Sequence, residues 1–151
     1  MGEVLHLYVC LVHRLAMKEI EEAEAVTNKG LKGCIHGRPS SRRQISLMDI
    51  ETLDLLGVEP GRVKENITVR DMDFQQLKTG QQLRVGGSIL EITEPCNPCS
   101  RMDEIRPGLK EELRGRRGWL CRVVRGGIIR RGSSIQLTPA NAEADREEIR
   151  A

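Results

Sequence analysis

Short apolar runs, broken by glycine pairs and prolines, leave this chain few ways to fold. The plainest is Gln82-Leu83-Arg84-Val85, then Gly86-Gly87, then Ser88-Ile89-Leu90-Glu91-Ile92-Thr93. It reads as two strands joined by a hairpin turn. Val4 to Val12, with Leu5, Leu7, Val9 and Leu11 alternating, reads as a first strand. Ile45 to Leu47, Asn66 to Val69, Trp119 to Val124, Ile128 to Arg130 and Ser134 to Leu137 add further short strands. Helical signals are few. Ser46 or Asp49 can cap a helix through Asp49 to Leu56 that Gly57 closes, and Leu109 to Arg114 reads as another short one. Ala16 to Val26 is ambiguous: Met17, Ile20 and Ala23 share a helical face, but the stretch is short. Arg101 to Pro107 is not read as a helix. Without long crossover helices, the pattern predicts a mainly β fold, with antiparallel strands curled toward a barrel and a few short helices. The expected organisation is one domain over residues 1–138 and a charged, flexible tail over residues 139–151.

Composition narrows the function classes. Tyr8, Phe74 and Trp119 are the whole aromatic set, so the core must be aliphatic. Three scattered rings also make no stacking platform, and nucleic acid is not an expected partner. The net charge of +2 does not demand a polyanion. Arg101 to Arg131, however, carries ten basic side chains against four acidic ones. That window either holds a phosphate or another small anion, or forms a solvated face of alternating charges. No apolar run is long enough to span a bilayer, and the opening residues lack a basic region followed by an apolar one. Five cysteines (Cys10, Cys34, Cys96, Cys99 and Cys121) are an odd number. Free thiols in the cytoplasm, away from membranes, are therefore expected.

The chemistry centres on Glu94-Pro95-Cys96-Asn97-Pro98-Cys99-Ser100. Its C-x-x-C has four readings. It can be half of a zinc site completed by Cys34 and His36, a dithiol redox pair, a lone working thiolate, or two inert buried thiols. Pro95 and Pro98 break the approach to a helix and so disfavour the redox pair. The motif ends a strand in a proline-rich loop, a common place for reactive groups. Arg101 and Arg106 follow closely, and nearby positive charge raises the thiolate fraction. Thiolate is the form that attacks sulfur and binds soft metals, so Cys99 is the prime candidate. His36 can serve as a base or donate to an anion. Arg42 and Arg43 can grip phosphate or carboxylate, or lie idle on the surface. No catalytic triad order, phosphate loop or dinucleotide fingerprint is present.

The order Gly30-Leu31-Lys32-Gly33, His36, Arg43-Gln44-Ile45-Ser46-Leu47 and Glu65-Asn66-Ile67-Thr68-Val69 resembles the MOSC domain. The likeness continues through Leu77-Lys78-Thr79-Gly80, Leu83-Arg84-Val85-Gly86, Leu90-Glu91-Ile92-Thr93, Pro98-Cys99 and Gly108-Leu109, to Gly118, Val123-Val124 and Gly127-Ile128-Ile129. It runs over roughly residues 4–138. MOSC domains end molybdenum cofactor sulfurases and also stand alone. The resemblance implies a β-barrel in which Cys99 carries sulfur as a persulfide or ligates molybdenum. It implies molybdenum cofactor as the cofactor, held by Arg43, His36, Asn66 and Arg101, with Cys34 and Cys96 as auxiliary thiols. It also implies a cysteine desulfurase or a molybdoenzyme sulfur acceptor as partner. Some relatives reduce N-hydroxylated compounds, which leaves a sulfurtransferase-type or a cofactor-dependent activity open. Cys34 stands where the family usually has Asp, Lys64 where it usually has Gly, and Arg131-Gly132-Ser133-Ser134 where Gly-Asp is common. The loss of the Asp suggests an altered activity or a relay between Cys34 and Cys99. Two other readings remain: a non-catalytic anion- or cofactor-binding module using Arg101 to Arg131, and a zinc-stabilised domain using Cys34, His36, Cys96 and Cys99.

Overall fold

Aliphatic side chains at alternate strand positions turn inward and close the sheet on itself. The computed structural model describes residues 1–13 and 15–138, so the tail expected over 139–151 lies outside the described residues. The strands are β1 (Gly2–Val9), β2 (Lys18–Ile20), β3 (Glu22–Val26), β4 (Gly30–Leu31), β5 (Ile45–Asp49) and β6 (Ile67–Arg70). They continue with β7 (Gln82–Val85), β8 (Ser88–Pro95), β9 (Trp119–Arg125), β10 (Gly127–Arg130) and β11 (Ser134–Leu137). β11, β7, β8, β9, β5, β6 and β1 pair in that order, and β1 pairs back onto β11 through Gly2 with Ile135 and Glu3 with Ser134. The result is a closed barrel of seven strands, with β2 hung on the outside of β1. A separate small sheet runs β10-β3-β4. Closure leaves the ring without a free edge among these seven strands.

Leu7, Leu47, Ile67, Leu83, Leu90, Ile92 and Ile129 are buried in the barrel core. Each buried side chain of this kind contributes about 1.5–3 kcal/mol relative to exposure. A second cluster, including Met48, Leu53, Val63, Met102 and Leu109, packs under three short helices. These are α1 (Ile50–Leu56), α2 (Met102–Ile105) and α3 (Leu109–Glu112). α1 begins as its sequence predicts: the Asp49 side chain accepts from the Thr52 N–H, and Gly57 closes the helix at φ 68°.

Three expectations change, and one ambiguous stretch is decided. β5 and β6 are parallel, with Leu47 beside Ile67. The chain between them, carrying α1, is long enough to return to the same end of the barrel, so one parallel pair forms within an otherwise antiparallel ring. Ala16 to Val26 is not helical. β2 pairs with β1 and β3 pairs with β10, and this pairing overrides the helical spacing. The first strand stops at Val9, because the Cys10 carbonyl turns away to accept from the Ile35 N–H at 2.9 Å. α2 adds one helical turn within Arg101 to Pro107.

Candidate functional site

The C-x-x-C loop hangs from the end of β8 and is pinned at both sides. The Cys96 N–H donates to the Gly118 carbonyl at 2.9 Å, and the Cys99 carbonyl accepts from the Met102 N–H at 2.9 Å where α2 begins. Between these anchors Cys99 is exposed and Cys96 half-buried. Two cavities meet at Cys99. The larger, of about 700 Å³, has apolar walls that include Met17, Pro60, Val63 and Ile105. The smaller, of about 300 Å³, includes Arg43, Ser46, Asn66 and Cys96. His36, Lys64, Cys99 and Arg117 line both.

Arg117 is the unusual member. It is only 6% exposed. Its Nη2 donates to the Val63 carbonyl, while its buried Nη1 has no hydrogen-bond partner among the described residues. No carboxylate pairs with it among the described residues. A buried guanidinium without a counter-charge is costly, and an anionic ligand would relieve it. Ser46 Oγ, also buried and unpartnered, belongs to the same smaller cavity. Local backbone puts Arg117 there. Gly118 follows it at φ 93°, and a Cβ at that position would overlap the Leu47 carbonyl oxygen, so only glycine lets the chain approach β5 so closely. Lys64 adds a second cation. It holds a left-handed backbone at φ 68°, which costs a side-chain-bearing residue about 1 kcal/mol, and its Nζ donates to the Leu15 carbonyl at 2.5 Å.

The residues singled out in the sequence fall into three groups. Cys99, Cys96, His36, Arg43 and Asn66 all line the smaller cavity. Arg43 is partly neutralised there by Glu94, with Nε to Oε1 at 2.9 Å. Asn66 is a structural clamp as well: its Nδ2 donates to the Tyr8 carbonyl at 3.1 Å and its Oδ1 accepts from the Ser46 N–H at 3.0 Å. Arg101 lines only the larger cavity. Cys34 lines neither and is buried behind the site, with its Sγ accepting from the Cys10 N–H and from Asn66 Nδ2, each at 3.4 Å. Burial pushes the Cys34 thiol up. Hydrogen bonds from the His36 side chain, the Cys10 and His36 backbones and the Asn66 amide outweigh that and bring it down to about 7.

The zinc reading fails on geometry. Among the described residues no group of three or more His, Cys, Asp or Glu side chains is placed to hold a metal ion, so Cys34, His36, Cys96 and Cys99 do not form a structural centre. Cys34 is buried against the Cys10 and Asn66 donors and lines neither cavity, while Cys99 is exposed and lines both. The basic window also resolves into parts. Arg106, Arg114, Arg122, Arg130 and Arg131 pair with nearby glutamates, as a face of alternating charges does. Arg117 alone of that window is buried without a carboxylate among the described residues. Nothing in the sequence separates it from Arg114 and Arg116; burial against Val63 does.

A family model described as "MOSC domain" matches residues 42–136 of this chain. The chain belongs to the MOSC domain family. That stretch contains β5 to β10 with most of β11, the C-x-x-C loop and Arg117, while Cys34 and His36 precede it. The MOSC fold here superposes on the crystal structure of the YuaD protein from Bacillus subtilis with a TM-score of 0.74, at 23% identity, covering 89% of this chain and 94% of that one. It also superposes on YiiM from Geobacillus stearothermophilus with a TM-score of 0.74, at 16% identity, covering 95% of this chain and 78% of that one. Identities this low establish the shared fold. Among curated proteins, a "Reductase" from Gibberella moniliformis is 32% identical over 82 residues, or 51% of this chain. The chain covers only 15% of that reductase's length. No helix among the described residues is long and apolar enough to cross a membrane.

Proposed function

We propose that this MOSC protein carries sulfur as a persulfide on Cys99, beside an anion seat built around Arg117. The observation that carries the reading is the exposed Cys99 thiol at the junction of two cavities that share the buried Arg117, whose Nη1 has no hydrogen-bond partner among the described residues. A carrier thiol must be reachable by both a donor and an acceptor, and a loop fixed at Gly118 and Met102 presents it in one place. The persulfide is an anion, and the cations of the cavity favour it.

A second reading uses the same residues. The donor set fits molybdenum cofactor: Cys99 offers a soft thiolate to molybdenum, and Arg117 with Lys64 can hold a phosphate. Once bound, the cofactor would supply a redox centre for a reductase-type activity, in line with the name of the Gibberella relative. In either reading the protein's own residues orient and neutralise an anionic ligand while Cys99 supplies the sulfur atom. A cysteine desulfurase, or a molybdoenzyme that accepts the sulfur, is the partner class this role calls for.

Intact mass of the native protein and of Cys99→Ser, with metal and pterin analysis, tests the proposal. The expected result is an adduct of about 32 Da, one sulfur atom, that reduction removes and Cys99→Ser never carries. Molybdenum or pterin retained in proportion to Cys99 would favour the second reading. An adduct that persists in Cys99→Ser would sink the assignment.

A further inference from the structure

A sulfur carrier needs a donor, and the seat beside Cys99 restricts what that donor can be. Among the described residues Arg117 leaves Nη1 buried and unpartnered, and Ser46 leaves Oγ in the same condition; both residues line the smaller cavity with Cys99. Lys64 lines that cavity from a left-handed backbone that glycine would hold at lower cost. His36 lines it as well. A planar guanidinium, an ammonium group and a hydroxyl on one small cavity suit a compact oxyanion. A thiol on the rim of the same cavity suits an oxyanion whose neighbouring atom is transferable sulfur.

We infer that the donor is a sulfane–sulfonate, thiosulfate in the simplest case, whose sulfonate end is held by Arg117 and Lys64 while Cys99 takes its outer sulfur. This rests on the carrier role proposed for Cys99. The Cys99 thiol loses its proton to solvent, and the thiolate attacks the outer sulfur of thiosulfate. A bond forms between Cys99 Sγ and that sulfur. The bond between the outer and inner sulfur atoms breaks, and its electron pair stays on the inner sulfur, which departs as sulfite. Cys99 is left as the persulfide. Atoms and electrons balance without an added oxidant or reductant. As sulfite leaves, negative charge gathers on the oxyanion, where a buried cation stabilises it most.

The test compares two sulfur sources on the full chain: sodium thiosulfate and inorganic polysulfide, which has no sulfonate. Loading is read by intact mass and released sulfite is titrated. Thiosulfate is expected to add about 32 Da to wild type, one sulfite per sulfur loaded, and nothing to Cys99→Ser. In Arg117→Met the ratio of thiosulfate to polysulfide loading rates is expected to fall about 100-fold, the usual loss when one charge-stabilising donor is removed. Arg117 is buried, so Lys64→Gly provides a second variant whose backbone suits its site; its ratio is expected to fall about tenfold, the weight of one exposed-side cation. Polysulfide loading of Cys99 without thiosulfate loading would overturn the donor assignment and leave the carrier standing. Failure of both sources would remove the carrier as well. Thiosulfate loading with an unchanged ratio in both variants would overturn the seat.

Discussion

Asn66 shows how much a single buried side chain can hold. Its amide spans three elements by bonding the Tyr8 carbonyl, the Ser46 N–H and Cys34 Sγ. Asn66→Ala strands the Ser46 N–H and the Tyr8 carbonyl away from water, and each costs about 1–3 kcal/mol. A loss of about 3 kcal/mol in denaturant stability is expected. The same substitution removes one donor from the Cys34 thiolate, so its titration should move up from about 7. Thiolate absorbance followed against pH in wild type, Asn66→Ala and Cys34→Ser checks both points. An unmoved transition in Asn66→Ala would show that the His36 and Cys10 donors suffice.

At the scale of elements, the site depends on how β9 meets β5. Leu47 pairs with Trp119, and Gly118 lets the chain close onto the Leu47 carbonyl. Gly118→Ala must push these strands apart and also takes on a left-handed backbone, for a loss of about 3 kcal/mol or more. The Gly118 carbonyl holds the Cys96 N–H, and Arg117 is the next residue, so the displacement reaches both halves of the site. Reduced protection of the Cys96 amide in hydrogen exchange, with slower alkylation-independent sulfur loading of Cys99, is the expected signature. Gly80→Ala takes on the same left-handed backbone, at φ 92°, but its Cβ would meet nothing within 4 Å, so it serves as the control for strain without a clash.

At the scale of the whole molecule, three titrating groups buried on different strands and loops set a pH profile for stability. Cys34 falls from its ordinary 9.0 to about 7, so its contribution is absent below pH 7 and fully present above pH 9. Cys121 is raised above 9.0 by burial and then by Glu91, so its contribution is present below pH 9 and lost as pH rises further. Tyr8 is raised from 10.0 to about 12, first by burial and then by Glu19 and Glu65, so its share is lost between those values. Together these groups raise stability from pH 7 toward 9 and lower it beyond. Denaturation midpoints measured across pH 6–11 are expected to peak near pH 9 for these reasons. Cys34→Ser should flatten the rise between 7 and 9 and leave the alkaline fall in place.

The local parts were legible in the sequence because their causes are local. Asp49 and Gly57 bracket α1, Gly86-Gly87 turns β7 into β8, and alternation in Ile67 to Val69 marks a buried strand. Barrel architecture followed from many short strands without long crossovers, and Cys99 stood out through its prolines and its place at a strand end. Beyond the β7–β8 hairpin, pairing partners were not legible. Residues Ala16 to Val26 carry helical spacing, yet became strands because β1 and β10 offered them edges. Nor could the sequence show the parallel β5–β6 pair, which depends on where the α1 connection lands. The cysteine loop was readable, but its surroundings were not. Arg117 looks like its neighbours in a run of arginines, and only the closed barrel buries it in the cavity lining with Cys99, without a counter-charge among the described residues. Burial and pairing are sums over contacts from the whole ring, so they are decided by the tertiary structure, whereas turns, caps and a proline-flanked thiol loop are decided by a few adjacent residues.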